Sequence, residues 1–127
     1  VRFLGKQDAV EEILSVCDLF IMPSESESFG LAALEAMACK VPVITSNAGG
    51  LPELNINGVT GYMDPVGDVD AMAKHAIEIL GDDVRLSQFK ENALKRAKEF
   101  DLGLILPVYE NFYKEVLTKK TTQKALV

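Results

Sequence analysis

Two glutamates, Glu27 and Glu35, flank a short stretch that contains Ser28-Phe29-Gly30-Leu31. A carboxylate accepts hydrogen bonds from paired hydroxyls but is a poor neighbour for phosphate. These two therefore suit the hydroxyl-bearing ends of a ligand with an anionic centre. The segment between them can hold that centre. An apolar run, Leu19-Phe20-Ile21-Met22, stops at Pro23, a polar loop follows, and the pattern predicts a helix from about Gly30 to Cys39. The first N–H groups of such a helix have no intrahelical acceptor, and the helix dipole adds partial positive charge, so a diphosphate fits there. Gly30 is expected to let a ligand approach the backbone closely. Glu35 lies on the same helix ridge as Leu31, and helical side chains lean toward the N-terminus. It is expected to reach back to a ribose diol, while Glu27, in the loop, faces a sugar on the far side of the diphosphate.

The elements that position this segment alternate between strand and helix. Val1 to Leu4 reads as a strand ending at Gly5. Asp8 is the expected N-cap, with Glu11 at the third helical position, of a helix through about Val16. Leu19 to Met22 reads as a strand buried on both faces, and Val41 to Ile44 as the next, with Pro42 at its start. Asn47 to Gly50 is a loop, Pro52 opens a short helix, Gly58 to Gly61 is a turn, and a short strand surrounds Tyr62 and Met63.

The back half is helical. Asp68 caps a helix expected to turn Val69, Met72, Ala73, Ala76, Ile77 and Leu80 inward, ended by Gly81. A second helix spans about 84–99, with Leu86, Phe89, Ala93, Ala97 and Phe100 on one face. A third spans about 104–117, with Ile105, Val108, Tyr109, Phe112 and Val116 inward. Such alternation implies an α/β fold with a parallel sheet, and in such sheets ligands lie beyond the carboxyl ends of the strands. The loops to watch are 5–8, 23–30, 46–51 and 65–68. A whole Rossmann-like domain has more than the four strands visible here, so the sheet is expected to be partial.

Composition narrows the classes. The net charge is −6, the pI is about 4.8 and 48% of residues are apolar. This fits a globular chain and argues against nucleic acid as a partner. No apolar run reaches the ~20 residues of a membrane span. Cys17 and Cys39, in apolar surroundings and without metal-ligand spacing, read as reduced core thiols of a cytoplasmic protein. His75 reads as a boundary residue, Glu25 as a solvated charge, and Tyr109, Phe112 and Tyr113 as packing. Glu53 serves either a helix start or a ligand. Gly49 and Gly50 serve either a tight turn or the approach of a ligand.

Glu27 and Glu35 form the E-x7-E pattern of glycosyltransferase family 4 and related retaining GT-B enzymes, which this chain resembles over residues 1–117. The flanks agree in order and spacing: Ser28-Phe29-Gly30-Leu31, Glu35-Ala36-Met37-Ala38, Val41-Pro42-Val43-Ile44, Gly49-Gly50-Leu51-Pro52-Glu53, Gly58-Val59-Thr60-Gly61-Tyr62 and Asp68. The resemblance implies a partial donor-binding domain over 1–117 followed by a polar tail over 118–127. Glu27 would contact the donor sugar close to the reaction centre. Ser28, Phe29, Gly30 and Leu31 would face sugar and phosphates, Glu35 would hold the ribose, and Gly5-Lys6-Gln7 would lie near the base. Phe3-Leu4-Gly5-Lys6-Gln7-Asp8 and Glu35-Ala36-Met37-Ala38-Cys39 are similar to the branch that transfers N-acetylglucosamine to L-malate. That likeness implies UDP-N-acetylglucosamine as donor, malate as acceptor, retention at the anomeric carbon, and no metal or other cofactor.

The family also uses an acceptor-binding N-terminal domain and a diphosphate-holding Arg and Lys. Neither has a counterpart here, so the chain is expected to be part of a longer enzyme, inactive alone and prone to self-associate. A GT-B nucleotide-sugar epimerase and a non-catalytic nucleotide-binding or assembly module are the alternative readings. Lys40 replaces the glycine usual after the helix, a position expected to have left-handed backbone.

Overall fold

The computed structural model describes residues 1–124, with side chains through Thr118. Residues 125–127 of the expected tail lie outside the described residues. The elements are α1 (Val10–Leu14), β1 (Phe20–Met22), α2 (Leu31–Ala38), β2 (Val43–Ser46), α3 (Leu51–Leu54), β3 (Gly61–Asp64), α4 (Val69–Leu80), α5 (Asp83–Lys98) and α6 (Leu102–Lys124). The helical backbone of α6 thus runs on past Leu117. The strands form a parallel sheet in the order β1-β2-β3, with Phe20 opposite Val43 and Val43 opposite Gly61. Pro42 falls just before β2, where its missing N–H interrupts no ladder, and its carbonyl accepts from the Phe20 N–H at 3.0 Å.

All four residues of β2 are buried, because helices cover both faces of the central strand. Successive strand side chains point to opposite faces. Val43 accordingly joins Ala33, Ala36 and Met37 of α2 and Leu51 and Leu54 of α3, whereas Ile44 joins Met72 and Ile79 of α4. Helix α5 serves both layers: Phe89 packs with Ile44, and Ala93 and Ala97 pack with Val43. The expected inward face of α5 is therefore observed. Asp82 starts that helix, accepting from the N–H groups of Val84 and Arg85 at 3.0 Å. Asp68 caps α4 as expected, through a 3.0 Å bond from the Ala71 N–H.

Five expectations are corrected. Val1 to Leu4 forms no strand and is exposed; an apolar run needs a ladder partner, and β1 pairs on one side only, with β2. Ile21 of β1 is exposed, although its register partner Ile44 packs with α4 on the same face, so this strand is not buried on both faces. Asp8 does not cap α1, whose N-cap is Ala9 with no side-chain bond. Helix α4 presents Met72, His75, Ala76 and Ile79 to the sheet and leaves Val69, Ala73, Ile77 and Leu80 exposed. Its apolar residues spread over more than one stripe, and stacking of His75 on Tyr62 of β3 at 4.0 Å selects this one. On α6, Val108, Tyr109, Phe112, Tyr113 and Val116 are exposed, and Ile105 is half-buried. The three aromatic rings thus pack against no core. Among the described residues, no helix is long and apolar enough to cross a membrane.

Lys40 follows α2 with φ 63°, the sole positive φ outside glycine among the described residues. That conformation costs an L-residue about 1–2 kcal/mol. The ammonium lies 2.8 Å from Glu91 of α5, an exposed pair that typically contributes under about 1 kcal/mol. Lys40→Gly is therefore expected to raise stability by up to about 1 kcal/mol. A urea midpoint that falls instead would show that the ion pair outweighs the backbone relief.

Candidate functional site

The parallel pairing of β1 with β2 brings their following loops together, since Met22 and Thr45 are register partners at the carboxyl ends. Ser46, buried at the end of β2, donates through its hydroxyl to the Ser24 carbonyl and ties the two loops at their roots. Farther out, the loops meet backbone to backbone. The Gly50 N–H donates to the Glu27 carbonyl at 3.3 Å. A Cβ on Gly49 would fall 1.6 Å from that same oxygen, and one on Gly50 would fall 2.4 Å from the Ser28 carbonyl oxygen. Of the two roles open for these glycines, a close approach is indeed present, but it is the approach of the Glu27–Ser28 backbone. Gly49 also has φ 53°, in the left-handed region.

The expected site residues are placed as follows. Glu27 is half-buried, and its carboxylate folds back to accept from the Ser28 N–H at 3.0 Å. Ser28 is exposed, and Leu31 is exposed on the first turn of α2. Gly30 is the N-cap of α2, with φ 95° and no side chain to occupy the N–H groups of the first turn. Its Cβ position faces Leu51, 2.5 Å from Cδ2. This glycine has a left-handed backbone, and a side chain there would meet α3. Phe29 turns inward, its ring edge-on to Phe100 at 5.5 Å. Only its backbone is left to face a ligand.

Glu35 is exposed on α2 and lines a groove of about 360 Å³ with Asp8, Val10, Glu11, Leu14, Ala38 and Cys39. The groove is where the start of α1 approaches α2, so Glu35 and the end of the 5–8 loop share one surface. Lys6 and Gln7 precede it on an exposed segment, where the Gln7 amide donates to the Leu4 carbonyl at 2.6 Å. Cys17 and Cys39 are free thiols and half-buried. His75 is held 3.0 Å from the buried Asp64 carboxylate, in keeping with a packing residue.

Two supporting residues escaped the sequence reading. Asn55 is buried, donating to the Thr45 hydroxyl at 3.0 Å and the Tyr62 carbonyl at 2.8 Å, while accepting from the Thr60 hydroxyl at 2.7 Å. It joins the end of α3 to β2 and β3. Arg96 of α5 donates to the carbonyls of Leu54 and Glu53, the last residues of α3, and lies 4.8 Å over the Phe100 ring. Position next to Ala97 on the inward side of α5 was the one available signal for Arg96. No spacing pattern announces a partner forty-odd residues back.

Residues 1–96 match the family model described as glycosyl transferases group 1. The chain is 46% identical, over 118 residues, to N-acetyl-alpha-D-glucosaminyl L-malate synthase of Bacillus anthracis, covering 92% of this chain and 31% of that protein. It is 32% identical to D-inositol 3-phosphate glycosyltransferase of Corynebacterium aurimucosum, over 93% of this chain and 28% of that one. Among solved structures it resembles sucrose-phosphate synthase of Thermosynechococcus elongatus, with a TM-score of 0.86 and 32% identity over 94% of this chain and 31% of that one. It also resembles Anabaena HepE in complex with UDP, with a TM-score of 0.83 and 29% identity over 90% of this chain and 32% of that one. The chain thus spans about a third of the length of the relatives it matches. Its helix-flanked parallel sheet and these likenesses converge: the chain belongs to the group 1 glycosyltransferases and has the α/β fold of their GT-B structures.

Proposed function

We propose that the intact protein transfers N-acetylglucosamine from UDP-N-acetylglucosamine to L-malate, with retention at the anomeric carbon. The observation that carries this reading is the 46% identity to an N-acetylglucosaminyl malate synthase across 92% of the chain. The geometry supports the donor half. The uncapped first turn of α2 offers N–H groups to the diphosphate. Glu35, on the groove beside α1, accepts from the ribose hydroxyls, and the base lies toward the 5–8 loop. Ser28 to Leu31 line the phosphate and sugar side by their backbone. Glu27 exchanges its present bond to the Ser28 N–H for the donor sugar, close to the reaction centre. The reading takes no metal or other cofactor. The acceptor binds to a part of the protein outside this chain.

The test is radiolabelled sugar transfer by the intact protein, with malate, other hydroxy acids and water compared as acceptors. Transfer to malate is the expected result. Transfer to another hydroxy acid alone would move the acceptor assignment, and epimerisation of the donor without any acceptor would overturn the transferase reading.

A narrower expectation concerns Glu35. Removing its carboxylate deletes charged hydrogen bonds worth roughly 1.5–3 kcal/mol each. Glu35→Ala in the intact protein is therefore expected to weaken UDP binding at least about tenfold by calorimetry. Unchanged affinity would take Glu35 out of the site.

A further inference from the structure

We infer that Arg96, on a helix remote from the E-x7-E segment in sequence, is a positioning residue that sets the conformation of the Glu27–Leu31 loop. This rests on the donor-binding reading above and adds a determinant to it.

The loop has two supports, and Arg96 touches both. The first is aromatic. Phe29 sits in the middle of the loop, and its ring packs edge-on against Phe100 at 5.5 Å with an interplanar angle of 66°. The guanidinium of Arg96 lies 4.8 Å over the Phe100 ring. A cation above a ring face is attracted by the ring quadrupole, and this holds Phe100 against Phe29. The second support is α3. Its first residue, Leu51, fills the space beside Gly30, and the N–H of the preceding Gly50 donates to the Glu27 carbonyl. Helix α3 is a single turn, too short to be stable on its own. Arg96 fastens its far end, donating from Nε to the Leu54 carbonyl at 3.2 Å and from Nη2 to the Glu53 carbonyl. The remaining Nη1 is bound to Glu99 at 2.5 Å, which fixes the fork.

Only a planar guanidinium can serve two adjacent carbonyls and a ring face at once, because its donors lie in a fixed fork. A lysine supplies charge without that geometry. The side chain is three-quarters buried and reaches no part of the groove lined by Glu35. Its influence therefore falls on the sugar and phosphate end of the site, and the ribose end on α2 is left alone.

The experiment compares Arg96→Met and Arg96→Lys with Lys95→Ala, an exposed control on the same turn of α5, in the intact protein. Methionine retains the packed stem. Expected for Arg96→Met is a kcat for sugar transfer reduced about ten- to a hundredfold, in line with the cost of misplacing reacting groups. UDP affinity is expected to stay within about twofold of the parent, and Arg96→Lys to fall between the two. Backbone amide hydrogen exchange supplies a readout that needs no turnover. The Ser28–Leu31 amides are expected to exchange faster in Arg96→Met and at the parent rate in Lys95→Ala. A parental kcat and parental exchange in folded Arg96→Met would overturn the inference. So would a parallel fall of kcat, UDP affinity and folded fraction, which marks a merely structural residue. If the unsubstituted protein transfers no sugar, the functional reading fails by itself, and the exchange rates still decide the role of Arg96.

Discussion

Gly49→Ala is expected to lower the stability of the domain by about 3 kcal/mol or more and to disable the proposed donor site. The added methyl would lie 1.6 Å from the Glu27 carbonyl oxygen and 2.7 Å from the carbonyl carbon. Both obstacles are backbone, so no side-chain rotation relieves the clash, and the two loops must separate. Overpacking of this kind typically costs 1–3 kcal/mol, and the left-handed φ of 53° adds roughly 1–2 kcal/mol for alanine. Separation moves Glu27 and the Ser28–Leu31 backbone together, and an ångström of displacement can cost about a hundredfold in rate. Urea unfolding and sugar transfer by the intact protein read the two effects. Gly58→Ala separates their causes: Gly58 has φ 74° but nothing within 4 Å of its Cβ position. It is expected to lose only the backbone cost, about 1–2 kcal/mol, and to keep its activity. Equal losses at the two positions would show that the loop contact is unimportant.

Asn55→Leu carries the second large effect, on stability. Leucine has nearly the right size but answers none of the three hydrogen bonds. The Thr45 hydroxyl, the Tyr62 carbonyl and the Thr60 hydroxyl lose their partner in a region almost closed to water. Each buried polar group left unpaired costs roughly 1–3 kcal/mol. The Thr60 hydroxyl keeps some compensation through the Ile56 N–H and carbonyl. The expected loss is therefore about 3–5 kcal/mol, a large share of the ~5–15 kcal/mol that holds a typical domain. A shift below about 1 kcal/mol in urea unfolding would mean that the network contributes little beyond shape.

Much of this architecture was legible because local chemistry and tertiary context agree. Asp68 offers a capping oxygen where a helix starts, the apolar Val43 and Ile44 follow Pro42 as a strand, and Phe89, Ala93 and Ala97 make a single stripe on α5. The left-handed backbone at Lys40 was legible through the family resemblance, which places a glycine at that position. Most of the misreadings share a cause. Val1 to Leu4 and the outward residues of α4 and α6 are as apolar as core residues, but whether they are buried depends on what lies opposite them. Composition carries no information about that. E-x7-E marked the segment for which a site is proposed, whereas the reasons for Gly30, Gly49 and Gly50 lie in atoms from α3 or from another loop. The clamp by Arg96 is likewise invisible to any local pattern, because a side chain on α5 reaches back to α3.

The parallel register has a consequence for how the molecule reaches this state. Phe20 pairs with Val43, and Val43 pairs with Gly61, so each strand meets its neighbour after about twenty residues of chain. Folding slows as contacting residues become more distant in sequence, because long loops must close before any pairing is gained. Among the described residues, no strand waits for a remote segment. The three strands, α2, α3 and the paired loops all lie within residues 20–64. This stretch can take up a native-like arrangement during synthesis before α5 emerges to seal both layers. The paired loops that follow β1 and β2 would then form before Arg96 locks the far end of α3.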